Sequence, residues 1–249
     1  MIQSETTKTV KDFAISAGAD LVGIADLKLL RELETTPEDL LHGYQYGVSL
    51  AVKLPSEVFE QLDGGPTPLY AQVYVNANLL LDQIALRLCS YVESHGYAAL
   101  PIPASQVLDM ERFTSHLSAK AVANAAGLGW QGKSLLIVTP EYGPRIRFGT
   151  VLTNMPLVVD QILENKCADC CLCAEACPAA AIKNVNTDFH YSSRDEALDF
   201  KKCADKLVKE FMQLPLVEKP ICGICIKVCP WGRASNRRNR AISSSEMKW

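Results

Sequence analysis

Cys167-Ala168-Asp169-Cys170-Cys171-Leu172-Cys173-Ala174-Glu175-Ala176-Cys177-Pro178 carries the spacing C-x2-C-x2-C-x3-C-P, in which a run of thiolates grips a cubane iron–sulfur cluster. One short segment reaches three corners of a cubane only if it curls tightly, so the stretch is expected to be a loop, since helices or strands would splay the cysteines. Proline is tolerated in a first helical turn but not inside a helix, so Cys177 is expected to open a helix that leads away and turns its sulfur to a neighbouring cluster. A second array, Cys222-Gly223-Ile224-Cys225-Ile226-Lys227-Val228-Cys229-Pro230, keeps the downstream half of the pattern, and Cys203 can replace its missing first cysteine. Two [4Fe-4S] clusters are therefore expected. In two-cluster ferredoxins the fourth cysteine of each run ligates the other cluster. That rule gives Cys167, Cys170, Cys173 and Cys229 to one cubane and Cys177, Cys203, Cys222 and Cys225 to the second. A zinc ribbon uses pairs of cysteines rather than three plus one, and a disulfide framework belongs to short secreted chains. Cys171 is out of register and Cys89 lies in an apolar helical stretch, so both are expected to pack rather than ligate.

Outward from the arrays, 249 residues with 48% hydrophobic content allow one large domain and a small one. The expected division is 1–160 and 161–249. A formal net charge of -3 gives no global pull toward nucleic acid or an anionic membrane, so neither is expected as a partner. Only the tail from Gly232 to Trp249 is basic, with Arg233, Arg237, Arg238, Arg240 and Lys248 against Glu246. It reads as a solvated end or a dock for a partner or anionic cofactor. Met1 to Lys11 is polar, without twin arginine or apolar core, and no apolar run is long enough to span a bilayer. A cytoplasmic location, where thiols stay reduced, is the expectation.

Apolar periodicity predicts a helix over 5–17 closed by Gly18, strands over 21–25 and 48–52, a loop over 55–68 and a long helix over 69–95 closed by Gly96. An edge strand over 97–103, a helix over 115–126, a strand over 134–139 and a last strand from Arg145 follow. In that strand, alternation puts Arg145 and Arg147 on one face and Ile146 and Phe148 on the other. The class is α/β or α+β.

Gly127-Leu128-Gly129-Trp130-Gln131-Gly132-Lys133-Ser134 matches both the dinucleotide G-x-G-x-x-G and the phosphate loop G-x4-G-K-S. Both mechanisms need a strand before the glycines and a helix after them, so that phosphate meets a helix N-terminus. Here the predicted order is the reverse, which argues against an ATPase. The loop with Lys133 remains readable as an anion cradle, or as a helix C-cap followed by a tight turn.

This loop, with Thr139-Pro140-Glu141-Tyr142-Gly143-Pro144-Arg145-Ile146-Arg147, Val151-Leu152-Thr153-Asn154 and both cysteine arrays, resembles the corrinoid-dependent epoxyqueuosine reductases and reductive dehalogenases over about 97–231. The resemblance implies a nitroreductase-like domain that binds cobalamin with its lower base displaced, followed by a ferredoxin-like domain whose nearer cluster feeds the cobalt. On that analogy Gly127, Gly129, Gly132, Lys133 and Ser134 cradle the phosphate or amides of the corrinoid's nucleotide tail, and Trp130, Arg145 and Phe148 are neighbours of the ring or tail. Epoxyqueuosine reductases carry an acidic proton donor where this chain has Phe113, so Asp109, one turn upstream, is the substitute candidate. The dehalogenases use a tyrosine, for which Tyr70 and Tyr74 are the candidates. The helical-repeat extension and the Tat-type leader of some relatives are not expected here. His116 lies near the loop, and none of the four histidines is taken as a ligand.

Three functions compete at this level. An enzyme would pass electrons from two clusters to a corrinoid that reduces or dehalogenates a small substrate, fed by a low-potential ferredoxin or flavodoxin. An electron-delivery protein would instead reduce or handle a corrinoid for another protein. A ferredoxin-fused module would hold flavin or a protein partner in the larger domain.

Overall fold

The computed structural model describes residues 3–232. The five cations of the basic tail lie outside the described residues. Helix α1 (Gln3–Ser16) buries Thr7, Val10 and Ala14 and ends before Gly18, whose φ of +116° suits glycine. Next come β1 (Leu21–Asp26), β2 (Tyr46–Lys53), α2 (Ser56–Glu60), α3 (Pro68–Ser94), β3 (Ala99–Ile102) and α4 (Ala119–Ala125). The order continues through β4 (Trp130–Gln131), β5 (Ile137–Val138), β6 (Ile146–Thr153), α5 (Leu172–Glu175), α6 (Arg194–Ala197), α7 (Phe200–Asp205) and α8 (Ile224–Val228).

The segment 55–68 is not all loop, because it contains the short helix α2. The helix expected from 115 begins at Ala119, where Ser118 caps it by accepting from the Ala121 N–H. The strand expected over 134–139 shrinks to β5, because Leu135 adopts φ +61° in a turn closed by Gly132 N–H to Leu136 O, 2.8 Å, and Leu135 N–H to Gly132 O, 2.9 Å.

Contacts divide the chain into two compact units that do not follow a single cut near residue 160. The first comprises residues up to 53, 76–129 and 147–163, and the second comprises 54–75, 130–146 and 164 onward. The first unit holds a sheet of order β1-β2-β6-β3, with β1 antiparallel to β2 and β3 antiparallel to β6. Register sets Gly23 opposite Ser49 and Ala25 opposite Gly47, a patch of small residues on one face. Helix α4 settles there: Val122 lies over Gly47, and the Ala126 carbonyl over Gly23. Proline-containing β3 is an edge strand, as its missing amide requires. Asp160 ties the closing segment to β1: its carboxylate accepts from Ile24 N–H at 2.7 Å and from Lys11, and its own N–H donates to Ile24 O.

The second unit contains the β4–β5 hairpin, with Trp130 opposite Val138 and Gln131 opposite Ile137. Its core includes Leu135, Tyr191, Ala197 and Leu198, with Ile182, Phe200 and Cys203 packed against them. The cysteine segments are not simple loops. Cys173 sits in α5, Cys203 in α7 and Cys225 in α8. A single helical turn does not splay thiols, because residues three apart share one side of it. Pro178 opens a turn closed by Ala180 N–H to Cys177 O, so the helix expected there is absent. After Cys229 a helical turn does begin at Pro230.

Candidate metal centre

Within the second unit, Cys167, Cys170 and Cys173 line one cavity together with Cys225 and Cys229 of the other array. Burial pushes the Cys173 thiol up to about 11, and Cys167, Cys170 and Cys229 add to the effect in that order. Burial likewise raises Cys229, against N–H groups of Trp231 and Gly232 and the charge of Arg145, with Cys167 as its thiol neighbour. Cys222 is pushed up to about 11 by burial, opposed by the Ile224 N–H, and its thiol neighbours are Cys203 and Cys177. Half-buried Cys225 is raised well above the usual thiol range by desolvation first, then by Cys222, Cys173, Cys203 and Cys177. The thiols thus gather as Cys167, Cys170, Cys173 and Cys229 on one side and Cys177, Cys203, Cys222 and Cys225 on the other. Cys173 and Cys225 are where the two groups adjoin.

An all-thiol donor set of two fours suits iron–sulfur chemistry. Among the described residues no group of three His, Cys, Asp or Glu side chains is placed to hold a single metal ion. A cubane carries its thiolates at its outer corners, further apart than the ligands of one ion. Thiols raised in this way, Cys173, Cys222, Cys225 and Cys229, hold their protons without metal, so cluster assembly would release protons as the thiolates form.

Local hydrogen bonds fix the first array. Asn165 Oδ1 accepts from the Cys167 N–H at 2.9 Å, while its Nδ2 donates to Gln131 O at 2.9 Å and Thr187 O at 2.7 Å. Gln131 Oε1 accepts from the Tyr191 N–H, and the Tyr191 hydroxyl donates to Val185 O at 2.8 Å. Burial, then Cys167 and Cys173, pushes the Tyr191 phenol up to about 12. Asn165, Gln131 and Tyr191 escape a reading of motifs alone. The one local signal is an asparagine two residues before a cysteine, an Asx turn.

The C-terminal half of the glycine loop, Gly132 to Ser134, lies at the cysteine segment. A Cβ on Gly132 would lie 2.9 Å from Val138 and 3.4 Å from Cys167 Sγ. Lys133 is 5% exposed and donates to the Cys170 carbonyl at 3.1 Å, so its ammonium is turned from the expected phosphate into the cysteine segment. Ser134 lines the cysteine cavity. Gly127 has φ +67°, and a Cβ there would collide with the Gln161 carbonyl, so it is a helix C-cap closed by protein. The Gly129 carbonyl accepts from Asn124 Nδ2 at 3.2 Å. Trp130 is buried edge-on against Trp231, ring centroids 4.8 Å apart. Arg145, 1% exposed, donates to Lys227 O at 3.0 Å, lies 3.8 Å from Glu60 and stands over Phe59. Phe148 is buried. Burial of Arg145, Ile146 and Phe148, with Arg147 half-buried, covers both predicted faces of that strand. Gly127, Gly132 and Lys133 are thus engaged by neighbouring protein groups.

The catalytic candidates fall in different units, Tyr70 and Tyr74 in the second and Asp109 in the first. Tyr70 is buried against Phe59, centroids 5.1 Å apart, with its ring against Gly223 beside Cys222. Tyr74 is half-buried one turn further along α3. Asp109 belongs to the first unit, and its carboxylate accepts from Arg112 N–H at 3.0 Å and Glu111 N–H at 2.8 Å. Those two bonds hold it below the ordinary carboxylate range. Cys171 is bonded to Glu175 rather than lining the cavity, and burial pushes the packed Cys89 thiol up to about 12. His116 Nδ1 meets Thr36 O at 2.6 Å. No helix among the described residues is long and apolar enough to cross a membrane.

Residues 166–232 match the family described as 4Fe-4S double cluster binding domain. The chain is 28% identical over 218 residues to the epoxyqueuosine reductase of Bacillus anthracis, covering 84% of this chain and 53% of that protein. It is 26% identical over 269 residues to the tetrachloroethene reductive dehalogenase of Sulfurospirillum multivorans, covering 93% of this chain and 51% of that protein. The chain thus spans about half the length of these relatives. Among solved structures it resembles a catabolic reductive dehalogenase in complex with 3-bromo-4-hydroxybenzoic acid (TM-score 0.76, 22% identity, 99% of this chain and 34% of that one). It also resembles an epoxyqueuosine reductase solved with a modified tRNA stem loop (TM-score 0.60, 23% identity, 93% and 66%). These likenesses show the fold.

Proposed function

We propose, on the premise that this chain is a relative of the epoxyqueuosine reductases and reductive dehalogenases, that it is an iron–sulfur oxidoreductase whose two cubanes hand on electrons one at a time. The observation that carries the reading is Cys229 beside Cys167, Cys170 and Cys173, with Cys177 beside Cys203, Cys222 and Cys225. Each array lends one cysteine to the other, so the two redox centres adjoin. When bound, the clusters supply one-electron transfer. Cys167, Cys170, Cys173 and Cys229 would hold one, and Cys177, Cys203, Cys222 and Cys225 the other. Asn165 holds the first segment in its curl.

A corrinoid is the acceptor we propose to test, supported by the kinship with a reductive dehalogenase. Because Gly127, Gly132 and Lys133 are engaged by neighbouring protein groups, no residue of the glycine loop is assigned to it and no step is routed through it. A ferredoxin or flavodoxin is the proposed donor, and the proposed location is cytoplasmic. A halogenated small molecule is the first substrate class to try. Since one relative of known structure was solved with a tRNA stem loop, epoxyqueuosine-bearing tRNA is the second, despite the chain's net charge of -3.

The test is anaerobic reconstitution with iron and sulfide, addition of hydroxocobalamin, and removal of unbound corrinoid. About eight irons, the content of two cubanes, together with retained cobalt and turnover of either substrate, is the expected result. Eight irons without cobalt and without turnover would leave an electron carrier and remove the corrinoid. Failure to hold iron and sulfide would sink the whole reading.

A further inference from the structure

We propose that Lys133, the lysine of the apparent phosphate loop, is the counter-charge of the cluster held by Cys167, Cys170, Cys173 and Cys229 and keeps its reduction potential above that of the other cluster. The inference rests on the two-cluster reading and goes beyond it.

Lys133 is 5% exposed and lines the same cavity as Cys167, Cys170, Cys173 and Cys229. Its Nζ donates to the Cys170 carbonyl at 3.1 Å, and among the described residues it makes no ion pair with a carboxylate. A buried ammonium needs more than one neutral carbonyl, because desolvation of an uncompensated charge is costly. Four thiolates around a cubane supply the missing negative charge. The turn that carries Lys133 is shaped for this purpose: Gly132 has no side chain to intrude on Val138 and Cys167 Sγ, and the left-handed Leu135 bends the hairpin around the cavity.

The second group is placed differently. The lysine acting on Cys222 is Lys206, which is one-quarter exposed and paired with Glu210, so its charge is screened and balanced. Reduction adds one electron, and therefore one negative charge, to a cluster, with no bond made or broken. A dry, unbalanced cation stabilises that added charge more than a solvated, paired one does. A low-potential one-electron donor that reduces the second cluster would thus pass its electron downhill to the first.

The test uses the full reconstituted chain in four forms: parent, Lys133→Gln, Lys133→Arg and Cys229→Ser. Iron and sulfide are quantified first, and each cluster is then titrated potentiometrically with spin-resonance detection. Cys229→Ser identifies which signal belongs to the first cluster. Lys133→Gln should keep the iron content of the parent and move that signal alone to lower potential, while Lys133→Arg restores it. Loss of only the first cluster in the Gln variant, with the Arg variant loaded at the parent potential, supports the same charge role. Unchanged potentials in a loaded Gln variant, a shift confined to the other cluster, or equal loss of the first cluster from both variants would overturn it. A parent chain that takes up no cluster would fail at the first step and overturn the two-cluster reading together with this one.

Discussion

Arg145 donates through Nη2 to the carbonyl of Lys227 at 3.0 Å, two residues before Cys229. The same guanidinium leaves Gly232 no room for a side chain, since a Cβ there would stand against Nη1. The last turn of α8 is therefore clamped from within its unit. Arg145→Met should strip a donor from a half-buried carbonyl, at a cost of about 1–3 kcal/mol. The expected readout is a lower thermal midpoint and preferential loss of the cluster that includes Cys229, with Arg145→Lys retaining more of both. Full iron content at the parent midpoint in Arg145→Met would show that the clamp is idle.

Cysteine exchange between the arrays has a separable signature. Cys203→Ser should remove the cluster shared by Cys177, Cys222 and Cys225 and leave the other, roughly halving the about eight irons of two cubanes. Cys171→Ser should keep all of them, because that thiol bonds to Glu175 and does not line the cavity. Iron and sulfide analysis with spin-resonance spectra decides both.

Asn165 accepts from Cys167 N–H and donates to the carbonyls of Gln131 and Thr187. Asn165→Ala removes three bonds in a half-buried setting, for a loss of about 1–3 kcal/mol. Holo protein should melt earlier and release the cluster held by Cys167 faster on exposure to a chelator. Asn165→Asp, which keeps the acceptor for Cys167, should fall between. Equal release rates in all three would remove Asn165 from the support of the site.

The cysteine spacing was legible because a cubane's size and the proline after each run leave few ways to arrange eight thiols. Strands β1 and β2 and helix α3 were legible from uninterrupted apolar periodicity. What the sequence hid was long-range. Nothing local says that residues 54–75 and 130–146 fold with the cysteine unit, or that Gly223 needs room for Tyr70 of α3. The phosphate-loop match misled for a related reason. Its glycines and lysine meet real constraints, but these come from Gln161, Cys167 and Cys170, which the motif does not contain. The strand predicted over 134–139 failed because left-handed Leu135 is set by the turn around the cavity and not by its own propensity.

Gly127→Ala separates the C-cap from the cofactor. Its φ of +67° and the Gln161 carbonyl, which occupies the space a Cβ would need, both oppose any side chain. The substitution should lower the thermal midpoint while leaving iron content intact, because the strain falls in the first unit. A stable variant that has lost a cluster would reverse this assignment.

Asp109 is held below the usual carboxylate range first by the Arg112 N–H and then by the Glu111 N–H. A depressed pKa fixes the sign: the turn's contribution is complete above the unfolded carboxylate pKa and is lost as pH falls through the lower folded value. Amide exchange at Glu111 and Arg112 should therefore stay protected at neutral pH and accelerate only in acid. Asp109→Asn keeps an acceptor oxygen and should preserve protection across that range, whereas Asp109→Ala should lose it at every pH. If turnover is found, the alkaline limb of its pH profile, where a proton donor would lose its proton, should be the same in Asp109→Asn as in the parent. A limb that moves with this substitution would restore Asp109 as the donor.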